Sequence, residues 1–140
     1  MIKKASLLIL ITGYLYAGVN HFRNPASYIR IIPQYIPFPV FVNYLSGILE
    51  ICFGSLLVFK RTRPFAAAGI CLMLIAFLPV HIQMIIDAPF KLGTFTVTPL
   101  VAWLRLLLQP VLIWWAWWYS PTQPSPVGRA FKKSPLPGEI

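Results

Sequence analysis

The sequence predicts an all-α fold: an integral membrane four-helix bundle with both termini in the cytoplasm. Composition is the first reason. The 140-residue chain is 58% hydrophobic and only 11% charged, more apolar surface than a soluble domain of this size can hide. Second, the apolar residues gather into four segments, each near the ~20 residues a helix needs to cross a bilayer core. Third, backbone groups in hydrocarbon must be satisfied internally, so segments of this kind are helical.

The first helix is expected at about Ala5–Phe22. Lys3 and Lys4 precede it as in a signal peptide. No small-residue cleavage site follows, and Tyr14, Tyr16, Asn20 and His21 spoil that pattern, so a retained helix is expected. The second is expected at about Val40–Phe59 and the third at about Pro64–Ile86, with Pro64 well placed at a helix start. The fourth covers about Thr98–Tyr119. Together they make residues 1–119 the membrane domain. Residues 120–140, rich in Pro, Ser and Lys, are expected to be a disordered basic tail in the cytoplasm.

Between the first two helices, Asn24–Pro39 holds Tyr28, Ile29, Ile31, Ile32, Tyr35, Ile36 and Phe38 among prolines that include Pro33, Pro37 and Pro39. The prolines forbid a continuous helix. The apolar side chains forbid a free watery loop. The segment reads either as a linker lying in the headgroups or as a lid folded over the bundle mouth.

Charge sets the orientation. The formal net charge is +9, but the basic residues lie mostly at the ends of apolar segments, and no basic soluble face exists to read nucleic acid. Lys3, Lys4, Lys60, Arg61, Arg63, Arg129, Lys132 and Lys133 fall on one side; only Arg23, Arg30 and Lys91 fall on the other. The positive-inside rule places the first group in the cytoplasm. Trp114, Trp115, Trp117, Trp118 and Tyr119 are then an aromatic anchor at the inner face.

Two charges stand inside apolar segments: Glu50 in the second and Arg105 in the fourth. Charges in hydrocarbon are costly and usually functional. Pairing them inside the bundle is the obvious way to lower that cost. In the second helix Asn43, Ser46, Gly47, Glu50 and Gly54 recur at three- and four-residue steps and share a face. Small residues there let a neighbouring helix approach closely. Arg105 and Gln109 are one turn apart on the fourth helix. His81 and Gln83 follow Pro79 on the third. Asn20 and His21 end the first, beyond Gly13 and Ala17 on its inward stripe. With alternating topology Asn20, His21, Asn43, His81 and Arg105 fall in the outer half of the bundle, and Glu50 and Gln109 near its midplane. A ligand pocket open to the outside and floored by Glu50 is the simplest geometry, lined by Asn20, His21, Asn43, Ser46, Glu50, His81, Arg105 and Gln109. Met73, Phe77, Met84 and Trp103 are candidates for its apolar side, or plain bundle packing.

Each feature has a blander reading. Glu50 with Arg105 can be a structural pair that fixes register, or a ligand or proton site, with Glu50 alternatively carried in its neutral form. The two histidines lack metal-ligand spacing, and an interfacial histidine bonded to backbone or water is the commoner case. Cys52 and Cys71 form no Cys-x-x-Cys motif; buried free thiols are expected. No phosphate loop, catalytic triad or carboxylate pair is present, so no independent catalytic activity is expected.

Four pieces of the chain carry a family resemblance: AGVNHF at Ala17–Phe22, YLSGILEI at Tyr44–Ile51 followed by Gly54, Arg61-Thr-Arg63 before the Ala-rich start of the third helix, and WLRLLLQ at Trp103–Gln109. Together they resemble the DoxX-like family of small four-helix bacterial membrane proteins, over about Ala5–Tyr119. The resemblance implies a bundle in the bacterial inner membrane. It also implies a loose redox association: an accessory subunit that binds a quinone-like lipid or a partner redox enzyme. It supplies no catalytic residue set. The residues alone name no cofactor, and they leave open a small proton-coupled transporter using Glu50, or a purely structural assembly protein.

Overall fold

The computed structural model describes residues 1–120 and is mostly helical. Its elements are α1 (Ile2–Arg23), α2 (Pro25–Arg30), α3 (Pro39–Leu56), α4 (Arg63–Ala76), α5 (Leu78–Asp87), β1 (Phe90–Leu92), β2 (Phe95–Val97) and α6 (Pro99–Trp117). The stretches Ile2–Arg23, Pro39–Leu56, Arg63–Asp87 and Pro99–Trp117 are each long and apolar enough to cross a membrane. The expected tail lies, beyond Ser120, outside the described residues.

Proline sets where the helices begin. Every helix after α1 carries one at its first or second position. A proline there gives up no needed N–H and brings its φ already fixed. Pro79 also explains the main departure from the expected helices. The segment at 64–86 was expected to be one helix; α4 stops at Ala76 and α5 starts at Leu78. Pro79 has no N–H for the Ile75 carbonyl and its ring crowds that turn. The Pro-rich stretch 24–39 also holds a helical turn and a half, α2, that its prolines did not lead one to expect.

The segment after α5 was not foreseen either. A cis Ala88–Pro89 bond leads into an antiparallel hairpin in which Leu92 pairs with Phe95. Gly93, at φ +60°, makes its two-residue turn. Arg30 of α2 sits over the Phe90 ring, 5.7 Å from its centroid, so hairpin and α2 meet at one end of the bundle.

At the opposite end the turn between α3 and α4 is closed by its own side chains. Thr62 Oγ1 donates to the Leu56 carbonyl at 2.7 Å and Arg63 Nε to the Leu57 carbonyl at 2.9 Å. Those are carbonyls a helix end leaves without partners. The α6 end folds against the start of α1, where Trp115 Nε1 donates to Ser6 Oγ at 2.7 Å and Tyr119 Oη lies 2.9 Å from it.

The core is divided. One buried cluster, built on Leu10, Leu57, Ile70, Leu74 and Ala116, fills the end with the α3–α4 turn. A smaller one, Ile31, Met84, Val97 and Ala102, lies under α2 and the hairpin. Between them the bundle encloses a cavity. Around the outside, Leu8, Phe41, Ile48, Phe65, Leu72 and Leu107 all project away from the core and are exposed.

Candidate functional site

The cavity measures about 510 Å³, within the ordinary range for a small-molecule site. Its walls come from α1, α2, α3, α4, α5 and α6. His21, Asn43, Ser46, Glu50, His81, Arg105 and Gln109 all line it. Asn20 does not. It faces α2 instead, where Asn20 Nδ2 donates to Tyr28 Oη at 2.9 Å. Tyr28 lines the cavity, and its ring stacks on His21 with centroids 3.8 Å apart. Asn20 therefore positions a wall residue.

The α1–α3 seam is organised by a missing hydrogen. The His21 carbonyl, near the end of α1, would accept from residue 25, but residue 25 is proline. Asn43 of α3 takes its place, with Nδ2 donating to the His21 carbonyl at 3.1 Å. A carbonyl can only accept, so that end of the amide is the NH₂. Asn43 Oδ1 is then left against the imidazole, 2.7 Å from Nδ1. Nδ1 must carry a hydrogen. His21 thus presents Nε2 to Glu50, 3.4 Å from Oε2. One proton shared between them fits either form: imidazolium with carboxylate, or imidazole with carboxylic acid.

Glycine allows this closeness. A Cβ added to Gly47 would lie 2.7 Å from the His21 Cβ and 2.9 Å from the Gly18 carbonyl oxygen. Only a residue without a side chain lets the two backbones meet at this depth, and that contact sets the His21–Asn43–Glu50 geometry.

The expected Glu50–Arg105 pair is not formed. Among the described residues the one ion pair is His21–Glu50. Arg105 shares the cavity wall with Glu50 but makes no salt bridge there. The sequence shows two opposite charges in apolar segments; it does not show that α1 brings a histidine to Glu50 first. A second expectation also changes. Glu50 is not the floor. The wall runs on past it to Ile9, Leu10, Leu112 and Trp115. From Arg105 to Trp115 is ten residues of α6, roughly 15 Å at the helical rise, so the cavity has a polar half near α2 and an apolar half beyond Glu50.

Across from the seam the polar groups are unpaired. Gln109 is 2% exposed and His81 8% exposed, yet Gln109 Oε1 and His81 Nδ1 have no hydrogen-bond partner among the described residues. Glu50 Oε2 is a third such atom, since its contact with His21 is at ion-pair distance without hydrogen-bond alignment. Buried polar atoms are nearly always bonded, so three orphans on side chains lining one cavity mark it as the candidate site.

A family model described as a domain of unknown function (DUF8561) matches residues 10–120. The chain belongs to this family. No curated protein and no solved structure matches it. The DUF8561 match spans every cavity-lining side chain but Ile9.

Sequence reasoning missed Tyr14, Tyr28 and Trp115 as wall residues. Tyr28 was visible as part of the apolar, Pro-rich segment, and Ile31, Ile32 and Ile36 of that segment also line the cavity. Gly13 and Ala17, the small residues of the inward stripe, are in the wall too. Of the four apolar candidates only Phe77 lines it; Met73 and Met84 are core packing and Trp103 faces outward. Gln83 turns away and donates to Asp87 at 2.8 Å. Both cysteines are free thiols: Cys52 is exposed, and Cys71 is buried with Sγ 3.5 Å from the Ile113 carbonyl.

Proposed function

We propose that this chain is a multi-pass protein of the bacterial inner membrane, with both termini cytoplasmic, that binds a small amphipathic molecule in its cavity. In this reading it is a DoxX-like accessory subunit of a redox enzyme, and the ligand is quinone-like. The belt of exposed apolar side chains supports the membrane setting, since patches of that extent are rare on soluble monomers. The uneven distribution of Lys and Arg supports the orientation. One observation carries the binding reading: three side chains that line a cavity also holding Arg105 each carry a buried polar atom without a partner among the described residues. A headgroup oxygen satisfies Arg105, and the ring and tail fill the apolar half.

Trp115 lines the cavity and reports on it. A short-tailed quinone titrated into the purified protein should quench tryptophan fluorescence saturably, at one ligand per chain. Arg105→Gln should weaken the binding by about tenfold, as loss of a charged hydrogen bond does. Purely linear, unsaturable quenching counts against the reading. Orientation is tested with single cysteines at Lys60 and Lys91, in a Cys52→Ser, Cys71→Ala background. Labelling from the periplasm should reach Lys91→Cys and spare Lys60→Cys.

A second reading, proton-coupled transport, is favoured by one observation. Arg105 does not neutralise Glu50; His21 and Glu50 sit together with room for one proton between them. Proton uptake into vesicles coupled to substrate movement, lost in Glu50→Gln, would establish it over simple binding.

A further inference from the structure

If the cavity binds a small molecule, as proposed, its unpaired atoms also describe that molecule's headgroup. Hydrogen bonds need complementary halves. Arg105 can only donate. Gln109 offers an acceptor and a donor whichever way its amide is turned, and its Oε1 has no partner among the described residues. Glu50 Oε2, as a carboxylate oxygen, needs a donor. His81 Nδ1 takes either role according to tautomer. A headgroup that carries only carbonyl oxygens serves Arg105 and leaves Gln109 Oε1 and Glu50 Oε2 without donors. A hydroxyl group gives one of them its donor, because it carries one hydrogen and still accepts. Sites with buried groups placed for a ligand hydroxyl discriminate strongly against the analogue lacking it.

The rest of the wall suits a flat ring with a tail. Tyr14, Tyr28, Phe77 and Trp115 present planar faces, and Leu10 and Leu112 line the part beyond Glu50. We propose that the cavity takes a phenolic amphiphile, an aromatic ring bearing a free hydroxyl and an apolar tail, in preference to the same ring bearing carbonyls only. Gln109 Oε1 accepts the hydroxyl's one hydrogen, and Arg105 donates to the oxygen at the far side of the ring.

The test uses the full chain in detergent, without oxygen, and three probes of nearly one shape: an alkyl hydroquinone, the corresponding quinone, and the hydroquinone's dimethyl ether. The hydroquinone should bind tighter than either of the others by about tenfold or more. If the quinone binds as tightly or more tightly, this inference fails while the binding reading stands. If none of the three binds saturably, both fail. Gln109→Leu then locates the effect. It should weaken the hydroquinone by about tenfold, close to one net hydrogen bond, and leave the quinone nearly unchanged. Equal losses for both probes would mean that Gln109 only shapes the cavity, and would overturn its role. If that variant does not fold, the three-probe comparison on the unaltered protein decides.

Discussion

The α1–α3 seam and the α5–α6 wall carry similar sets of polar side chains, yet only the seam is bonded within itself. His21, Asn43 and Glu50 form a chain of contacts at 2.7, 3.1 and 3.4 Å. His81, Arg105 and Gln109 line the same cavity, and His81 Nδ1 and Gln109 Oε1 have no partner among the described residues. The difference begins in the backbone. Gly18 and Gly47 let α1 and α3 touch, and Pro25 leaves a carbonyl that Asn43 must cap. On α5 and α6 the same kinds of side chain line the cavity instead. One wall is therefore structure, and in the proposed reading the other is where the ligand binds.

That contrast sorts the consequences of substitution. Asn43→Leu should be the most damaging change. It strands both the His21 carbonyl and Nδ1–H in the seam, at roughly 2–4 kcal/mol in total. Thermal unfolding in detergent measures it; a loss below about 1 kcal/mol would mean the seam is not the structural wall. Gly47→Ala should come next, at about 1–3 kcal/mol, because the new Cβ overpacks against His21 and Gly18. Its second signature is a disturbed His21 ring resonance. Unchanged stability and spectrum would show that the helices do not meet as closely as described.

Tyr28→Phe is smaller still. It removes the hydroxyl that Asn20 bonds at 2.9 Å and keeps the ring stacked on His21, at about 0.5–1.5 kcal/mol. It should speed ligand exchange more than it lowers affinity, since α2 covers the cavity. Stopped-flow quenching separates the two. Gln109→Leu is the smallest for stability. Replacing an unpaired buried amide by a hydrocarbon should change unfolding by no more than about 0.5 kcal/mol, or raise stability. A large loss there would show that Gln109 has a protein partner and that the wall is not open.

The same division separates what was legible in the sequence from what was not. Four apolar stretches, an all-α fold and the polar face of α3 are patterns of composition and 3.6-residue spacing, and both are properties of local sequence. Seven of the eight expected site residues do line one cavity. What failed was pairing across helices. Opposite charge singled out Glu50 and Arg105, but charge says nothing about which helix lies against which. That is settled by Gly18 against Gly47, a contact between positions 29 residues apart whose geometry no periodicity contains. Asn20 failed by one helical step of about 100° from His21, enough to turn it from the cavity to α2. The break at Phe77 was signalled by Pro79, and the 88–98 hairpin by Gly93; both markers are in the sequence, but the expected long helix outweighed the first.

The most direct test of the division is a pair of double-mutant cycles read by thermal unfolding in detergent. One combines His21→Gln with Glu50→Gln, and the other Glu50→Gln with Arg105→Gln. Groups in contact show coupling energies of about 0.5–3 kcal/mol, while independent sites add to within about 0.3–0.5 kcal/mol. His21 and Glu50 should couple by about 1 kcal/mol or more, and Glu50 with Arg105 should be additive. Strong coupling of Glu50 to Arg105, with none to His21, would contradict the bonded seam and the open wall, and would return Arg105 to the role of structural partner.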